Sequence, residues 1–188
     1  MNRHLGNKKG HFDANDANSI LIWKELKEKN GDVKILCHKK QGELDPNFFG
    51  LGKDDFILCF MTNHQKMMVS KLMSKKHSVV MMDATHGTNQ YDFKMVSVMT
   101  KNLNHQGEPL AHMFSNTENA TALQFFLQSL RNECGKIKCK TFMSDSAPQY
   151  YNSWNSVMVD KGDDPPKKLL CAWHVIEAFR NNLSKVKQ

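Results

Sequence analysis

The sequence has no long apolar run and no regular set of cysteines. No stretch approaches the ~20 consecutive apolar residues that a membrane-spanning helix needs, and residues 1–12 lack the apolar core of a secretory signal peptide. The five cysteines are odd in number and irregularly spaced, unlike the disulfide framework of a small secreted domain. We therefore expect no membrane partner and a reducing, intracellular compartment.

The composition is that of a folded, basic protein. The chain has 188 residues, of which 40% are hydrophobic, so it is long enough to bury a core. Its formal net charge of +7 favours an acidic polymer such as nucleic acid over an acidic small molecule as the partner. A basic surface without such a partner remains an alternative interpretation.

Residues 1–77 contain a few short elements separated by turns. Apolar residues at helical spacing predict a helix that ends at Asn30-Gly31, and a second helix carries Met67, Met68 and Leu72. Two strands are predicted between them, over residues 33–37 and 55–62. We expect this part to be a small α+β accessory segment that precedes the main domain.

From Ser78 onward the pattern becomes regular. Strands are predicted over 78–82, 93–100 and 109–115, close enough in sequence to form an antiparallel meander. An amphipathic helix then runs to Gly135, followed by a strand over 140–144, a helix over 149–159, a strand over 168–173 and a helical tail. The predicted order is βββαβαβα, and the helix before the fourth strand makes that strand parallel to the first.

Two aspartates mark the ends of two of these predicted strands. Asp83 follows the run 78–82, and Asp145 follows the run 140–144. The βββαβαβα order is that of the ribonuclease H-like mixed α/β sheet, in which the first and fourth strands are neighbours, so both aspartates are expected at one edge of the sheet. Two nearby carboxylates repel each other and favour a cation between them, and oxygen ligands suit Mg²⁺, or Mn²⁺ in its place. As an alternative, an aspartate after a strand forms a turn or caps the next helix.

Other polar side chains offer less specific signals. His86 and Thr85, next to Asp83, either contact DNA phosphate, orient a ligand water or shape the turn. Cys171 and His174 are a metal-like pair that Cys134 and Cys139 would complete, but the spacing C-x4-C-x31-C-x2-H fits zinc templates poorly. We do not expect zinc, and favour packing or hydrogen bonding for Cys171 and His174.

Four segments, 82–91, 107–111, 144–146 and 171–174, occur in an order that resembles the Mutator-like (MULE) transposase domain. In that family the first catalytic aspartate stands in an Asp-x-Thr string, the second in a short Asp-Gly or Asp-Ser turn, and a Cys-x-x-His signature follows. The resemblance covers roughly residues 78–182 and extends less specifically over 16–76. It implies two parts, an accessory segment over 1–77 and a partial transposase domain over 78–188.

The resemblance implies a cut-and-paste DNA transposase with a ribonuclease H-like core and an Asp-Asp-Glu metal triad. Asp83 and Asp145 match the first two positions of the triad. The glutamate is expected far beyond the Cys-x-x-His signature, after a helical insertion, and Glu177 is too close to His174 to be that residue. The domain is therefore expected to be C-terminally incomplete. DNA, in the form of transposon terminal repeats, is the expected partner and the nucleus the expected location, with homo-oligomerisation left open.

Two functional hypotheses follow from these implications. The first is a fragment of a transposase catalytic domain, whose family chemistry is metal-dependent cleavage and strand transfer at DNA phosphodiesters. Because no residue here occupies the third acidic position, we expect this chain to be poorly active or inactive. The second is a domesticated, catalytically inactive transposase remnant that binds DNA or protein.

Overall fold

A computed structural model of the protein describes residues 12–13, 16–73, 78–87, 92–102 and 104–185. In those ranges the chain forms the helices α1 Asp16–Asn30, α2 Asn63–Met73, α3 Ala120–Cys134, α4 Pro148–Met158 and α5 Ala172–Asn182. The strands are β1 Val33–Lys39, β2 Ile57–Thr62, β3 Val79–Thr85, β4 Lys94–Lys101, β5 Gly107–Ser115, β6 Thr141–Ser144 and β7 Lys167–Leu170. None of these helices combines the length and the apolar content that crossing a membrane requires.

The strands form one mixed sheet in the order β1-β2-β5-β4-β3-β6-β7. β3, β4 and β5 are the predicted antiparallel meander, while β6 runs parallel to β3 and β7 parallel to β6. The predicted order βββαβαβα is confirmed from residue 78 onward. β3 therefore lies between an antiparallel and a parallel neighbour, and the strand direction changes beside it.

The first two strands extend this same sheet. β2 pairs antiparallel with β5, and Ser115 Oγ–H donates to the Phe56 carbonyl over 2.7 Å. Asn116 Oδ1 accepts from the Phe56 N–H at 2.9 Å. Strands from before and after residue 77 are thus hydrogen-bonded to one another, and a division into two domains at that residue stays a prediction.

Helices cover both faces of the sheet. On one face, Ile20 and Trp23 of α1 pack on a small cluster formed by Val33, Ile35, Phe56 and Leu58. On the other face, α2, α3 and α4 pack on the larger core. Successive strand residues point to opposite faces, so alternate residues of β2 belong to different clusters: Leu58 and Phe60 to the first, and Ile57, Cys59 and Met61 to the second.

The predicted ends of the two strands β3 and β7 were wrong by three residues each. β3 continues to Thr85, so Asp83 lies inside the strand and pairs with Ser97 of β4. β7 ends at Leu170, and α5 begins at Ala172, which places Trp173 in a helix. Both differences have one cause: a strand ends where its neighbour stops supplying hydrogen bonds, and the side-chain pattern does not report that point.

Candidate metal centre at the carboxyl ends of β3 and β6

The register of two parallel strands brings the two aspartates together. Met81 of β3 pairs with Met143 of β6. Asp83 and Asp145 each come two residues after that pair, on strands that lie about 4.8 Å apart. The two carboxylates are therefore neighbours at the carboxyl edge of the sheet, as the strand order predicts.

Burial and the charge of Asp145 both affect the pKa of Asp83. Burial raises the pKa of Asp83 above its ordinary value, and the nearby charge of Asp145 raises it further. The charges of His174 and His86 and the Ala84 N–H act in the opposite direction, but the pKa stays raised. Asp83 is 44% exposed on its side chain, so a ligand can reach it from solvent. The pair is an unfavourable arrangement of like charges that a cation would relieve.

Backbone N–H groups orient both carboxylates. Asp83 Oδ1 accepts from the Ala84 N–H at 2.9 Å, and Asp145 Oδ1 accepts from the Ala147 N–H at 3.0 Å. The bond to Ala147 makes Asp145 a turn former, as one interpretation predicted. The interpretation of Asp145 as a helix cap is wrong, because Ala147 is the N-cap of α4 and no side chain caps that helix. A turn former keeps other oxygen lone pairs free, so this role is compatible with metal binding.

The Cys-x-x-His segment brings His174 to Asp83. The Cys171 N–H donates to the Ser144 carbonyl over 2.8 Å, directly before Asp145, and this bond joins the start of α5 to the end of β6. His174 lies in the first turn of α5, with Nε2 3.8 Å from Asp83 Oδ1. Its other nitrogen, Nδ1, is buried without a hydrogen-bond partner. His174 and Asp83 are therefore within ion-pair distance, and their interaction is attractive when the imidazole is protonated.

The four residues considered for zinc are not brought together. Cys134 Sγ contacts Met61 Sδ at 3.8 Å, and burial raises the pKa of Cys139 to about 12. Across the part of the chain that the structure describes, no three His, Cys, Asp or Glu side chains are grouped so that they could hold a metal ion. Asp83 and Asp145 are thus a pair, with no third side chain of these types grouped with them among the described residues.

A network that the sequence did not suggest lies next to the aspartates. Glu118, between β5 and α3, accepts from Lys94 Nζ at 2.8 Å and from the Tyr150 hydroxyl at 3.0 Å. Tyr150 is almost fully buried, and its pKa is raised by burial and Glu118, and also by the charges of Asp145 and Asp83. The network and the two aspartates therefore share one electrostatic environment.

Only one of these network residues carried a signal in the sequence. Glu118 directly precedes Asn119, the N-cap of α3, and a carboxylate is favoured at a helix N-terminus. No spacing rule relates Lys94, Glu118 and Tyr150, because they come from a strand, a loop and a helix far apart in sequence. The turn after β3 is described as far as Gly87, whose φ of +66° suits glycine, and residues 88–91 of the segment 82–91 lie outside the described residues.

Comparison with known protein families agrees with this geometry. The profile of the MULE transposase domain matches residues 79–178, more than half of the chain. The matched range begins in β3 and ends in α5, so it contains Asp83, Asp145, Cys171 and His174. A comparison with curated proteins found no match. Because the profile covers the strands and helices that build the site, the chain belongs to the MULE transposase domain family.

Proposed function

We propose that this chain is the catalytic-domain part of a DNA transposase, in which Asp83 and Asp145 hold a divalent cation, Mg²⁺ or Mn²⁺, at a DNA phosphodiester. The observation that carries the proposal is the register: both aspartates follow the Met81–Met143 pair by two residues on adjacent parallel strands. The strand order and directions from β3 to β7 also support a ribonuclease H-like fold for this part.

The chemistry of the donors fits such a cation. Carboxylate oxygens are hard ligands of the kind that Mg²⁺ and Mn²⁺ prefer. Burial and the charge of Asp145 raise the pKa of Asp83. A positive ion between the two carboxylates would oppose both contributions, because it favours the charged form of each group. A bound divalent cation would supply stabilisation of phosphate charge and activation of a water or a 3′-hydroxyl. The chain's own part is to orient the two carboxylates through Ala84 and Ala147.

His174 and Glu118 have supporting roles in this proposal. His174 lies 3.8 Å from Asp83 and limits how that carboxylate can turn. Glu118 is occupied by Lys94 and Tyr150 and so stabilises the packing behind the site. Because Asp83 and Asp145 offer only two carboxylates, we expect weak cation binding and poor strand cleavage from this pair by itself.

Thermal unfolding with added Mn²⁺ tests the cation site. At 100-fold excess over the dissociation constant, a ligand that binds only the folded state stabilises it by about 2.7 kcal/mol, or roughly 5 to 10 °C in melting temperature for a chain of this size. We expect this rise in the wild-type protein and its loss in Asp83→Asn and in Asp145→Asn. Asp32→Asn is the matched control, because Asp32 is 63% exposed on its side chain and directly precedes β1. β1 is the outermost strand on the side of the sheet away from β6 and β7. An unchanged rise in the Asp83→Asn, Asp145→Asn double variant would overturn the proposal.

The net charge of +7 is equally compatible with a second function, that of a catalytically inactive transposase remnant that binds DNA or protein. For DNA this function predicts binding to duplexes that weakens steeply with salt, because contacts to phosphate release counterions. Binding should then persist in EDTA and in the double aspartate variant. Cleavage of a labelled duplex in Mn²⁺ that disappears in Asp83→Asn would decide for the catalytic function instead.

A further inference from the structure

An exposed tryptophan lies beside the candidate metal centre. Trp173 is 63% exposed and precedes His174 in the first turn of α5. The two rings meet edge to face, with centroids 4.9 Å apart and planes at 83°. Since His174 Nε2 is in turn 3.8 Å from Asp83 Oδ1, a single side chain separates the indole from the aspartate pair.

The exposure of Trp173 is not shared by the other two tryptophans. Trp154 is 1% exposed in the core, and Trp23 is partly buried and packs edge to face on Phe60 at 5.7 Å. A tryptophan side chain normally buries a large apolar area. The contact with His174 is edge to face and so occupies at most one face of the Trp173 indole, which leaves a flat apolar surface open at the edge of the site.

Trp173 lies at one side of the exposed apolar surface of α5, since Ile176, which is 50% exposed, is about 60° away around the helix axis. Arg180 follows seven residues later, about two turns on, and so lies on the same side of the helix as Trp173. Phe179, which is 66% exposed, is rotated from Trp173 by about 120° around the helix axis. Arg180 Nη1 donates to Glu177 Oε1 at 2.8 Å, so this guanidinium is paired within the helix. The position of the indole next to His174 and Asp83 is what distinguishes it from Phe179.

We propose that Trp173 stacks on an unpaired nucleobase of the DNA next to the phosphodiester at Asp83 and Asp145. The proposal rests on the proposed function, since it assumes DNA at that edge of the sheet. Every base presents a π face, so such stacking needs no particular sequence. The base must be unpaired, at an overhang or a flipped position, because a base inside a duplex is already stacked on both faces.

Oligonucleotide binding in EDTA tests the stacking without any contribution from a bound cation. Three DNAs are compared by fluorescence anisotropy: a blunt duplex, the same duplex with a short single-stranded overhang, and that overhang with abasic nucleotides, which keep the phosphates and remove the bases. The proteins are the wild type, Trp173→Ala, Trp173→Phe and the control Phe179→Ala. The three variants carry substitutions at exposed positions of one helix.

We expect Trp173→Ala to weaken binding of the normal overhang roughly 5- to 150-fold, which corresponds to the ~1–3 kcal/mol of one base–aromatic stack. Trp173→Phe should retain most of the affinity, and Phe179→Ala should bind like the wild type. With the abasic overhang or the blunt duplex, the difference between Trp173→Ala and the wild type should disappear.

Two results would overturn the inference while leaving DNA binding intact. One is an equal effect of Trp173→Ala on normal and abasic overhangs. The other is an equal effect of Trp173→Ala and Phe179→Ala, which would indicate that the apolar side of α5 binds a protein surface such as a second copy of the chain. If the wild-type protein binds none of the three DNAs, the proposed DNA partner fails, and the inference fails with it.

Discussion

Replacing Tyr150 with phenylalanine removes one hydroxyl from the network beside the two aspartates. Tyr150 is 2% exposed, and its hydroxyl donates to Glu118 Oε2 at 3.0 Å. The other carboxylate oxygen, Oε1, accepts from Lys94 Nζ at 2.8 Å. Because phenylalanine keeps the buried ring in place, the substitution isolates the hydrogen bond to the carboxylate.

The expected cost follows from the charge and the exposure of Glu118. A hydrogen bond to a charged group contributes about 1.5–3 kcal/mol. The Glu118 side chain is 23% exposed, so water can replace part of the lost contact, and we expect a loss of about 1.5 kcal/mol in the free energy of unfolding. The matched control is Tyr151→Phe on the same helix. Its hydroxyl donates to the neutral Pro166 carbonyl at 2.8 Å and should cost about 1 kcal/mol.

The two substitutions differ in their dependence on pH. Burial alone would raise the pKa of Glu118, but the hydrogen bonds from Lys94 and Tyr150 outweigh it and lower the pKa below 4.5. As the pH falls, the Glu118 carboxylate of the unfolded chain therefore binds a proton at a higher pH than that of the folded chain. The stability from Glu118 is present above about pH 4.5 and is lost as the pH falls through the folded pKa. The cost of Tyr150→Phe should shrink over that range, while the cost of Tyr151→Phe should stay constant.

Urea unfolding in EDTA measures both effects. Each variant is compared with the wild type at pH 7 and at the lowest pH at which all three proteins remain folded. The reasoning is refuted if Tyr150→Phe and Tyr151→Phe cost the same at both pH values, because the hydroxyl of Tyr150 would then contribute no more than a neutral hydrogen bond.

Three further substitutions test other parts of the fold by urea unfolding. Burial and the charges of Lys24 and Lys40 lower the pKa of His38 from 6.5 to about 4. Between these two pH values the unfolded chain binds a proton that the folded chain does not, so the free energy of unfolding falls as the pH drops from 6.5 to about 4. His38→Gln should remove about 2 kcal/mol of that fall, a figure reduced because the half-buried ring is partly screened by solvent. A pH profile identical to that of the wild type would contradict this. Lys39 is fully buried, and its three N–H groups are shared among four backbone carbonyls, those of Lys40, Glu43, Lys53 and Asp55. Lys39→Met should therefore cost about 1–3 kcal/mol in the free energy of unfolding. A neutral effect would show that water replaces these bonds. Asn119→Ala removes the cap of α3, a bond of 2.9 Å from the Ala122 N–H, and should cost about 1 kcal/mol, whereas Asn119→Ser should restore most of it.

The helix α3 shows how much of the fold is readable from local patterns. Its apolar residues recur at helical spacing, and five of them are fully buried: Ala122, Leu123, Phe126, Leu127 and Leu130. Asn119 caps its start, and Gly135, with φ of +80°, ends it at the position that the sequence predicts. These features depend on residues within a few turns of one another, which is why the prediction succeeded.

Strand ends were harder to predict than strands. Asp83 was expected after β3 and lies within it, because β4 supplies backbone partners as far as Thr85. Trp173 was expected in β7 and lies in α5, because the Cys171 N–H bonds to Ser144 and the helix begins at the next residue. Both outcomes depend on a neighbouring strand that comes from another part of the sequence.

The sequence by itself determined the order of the elements from β3 to α5 and the neighbourhood of Asp83 and Asp145, because hydrophobic periodicity and strand direction are local properties. Only the tertiary structure decided that His174 faces Asp83 and that Glu118 binds Lys94 and Tyr150 beside the aspartates. It also decided that Trp173 stays exposed next to that site. The physical reason is that such contacts and pKa shifts depend on the distances between side chains that folding brings together, and these are not encoded in the spacing along the chain.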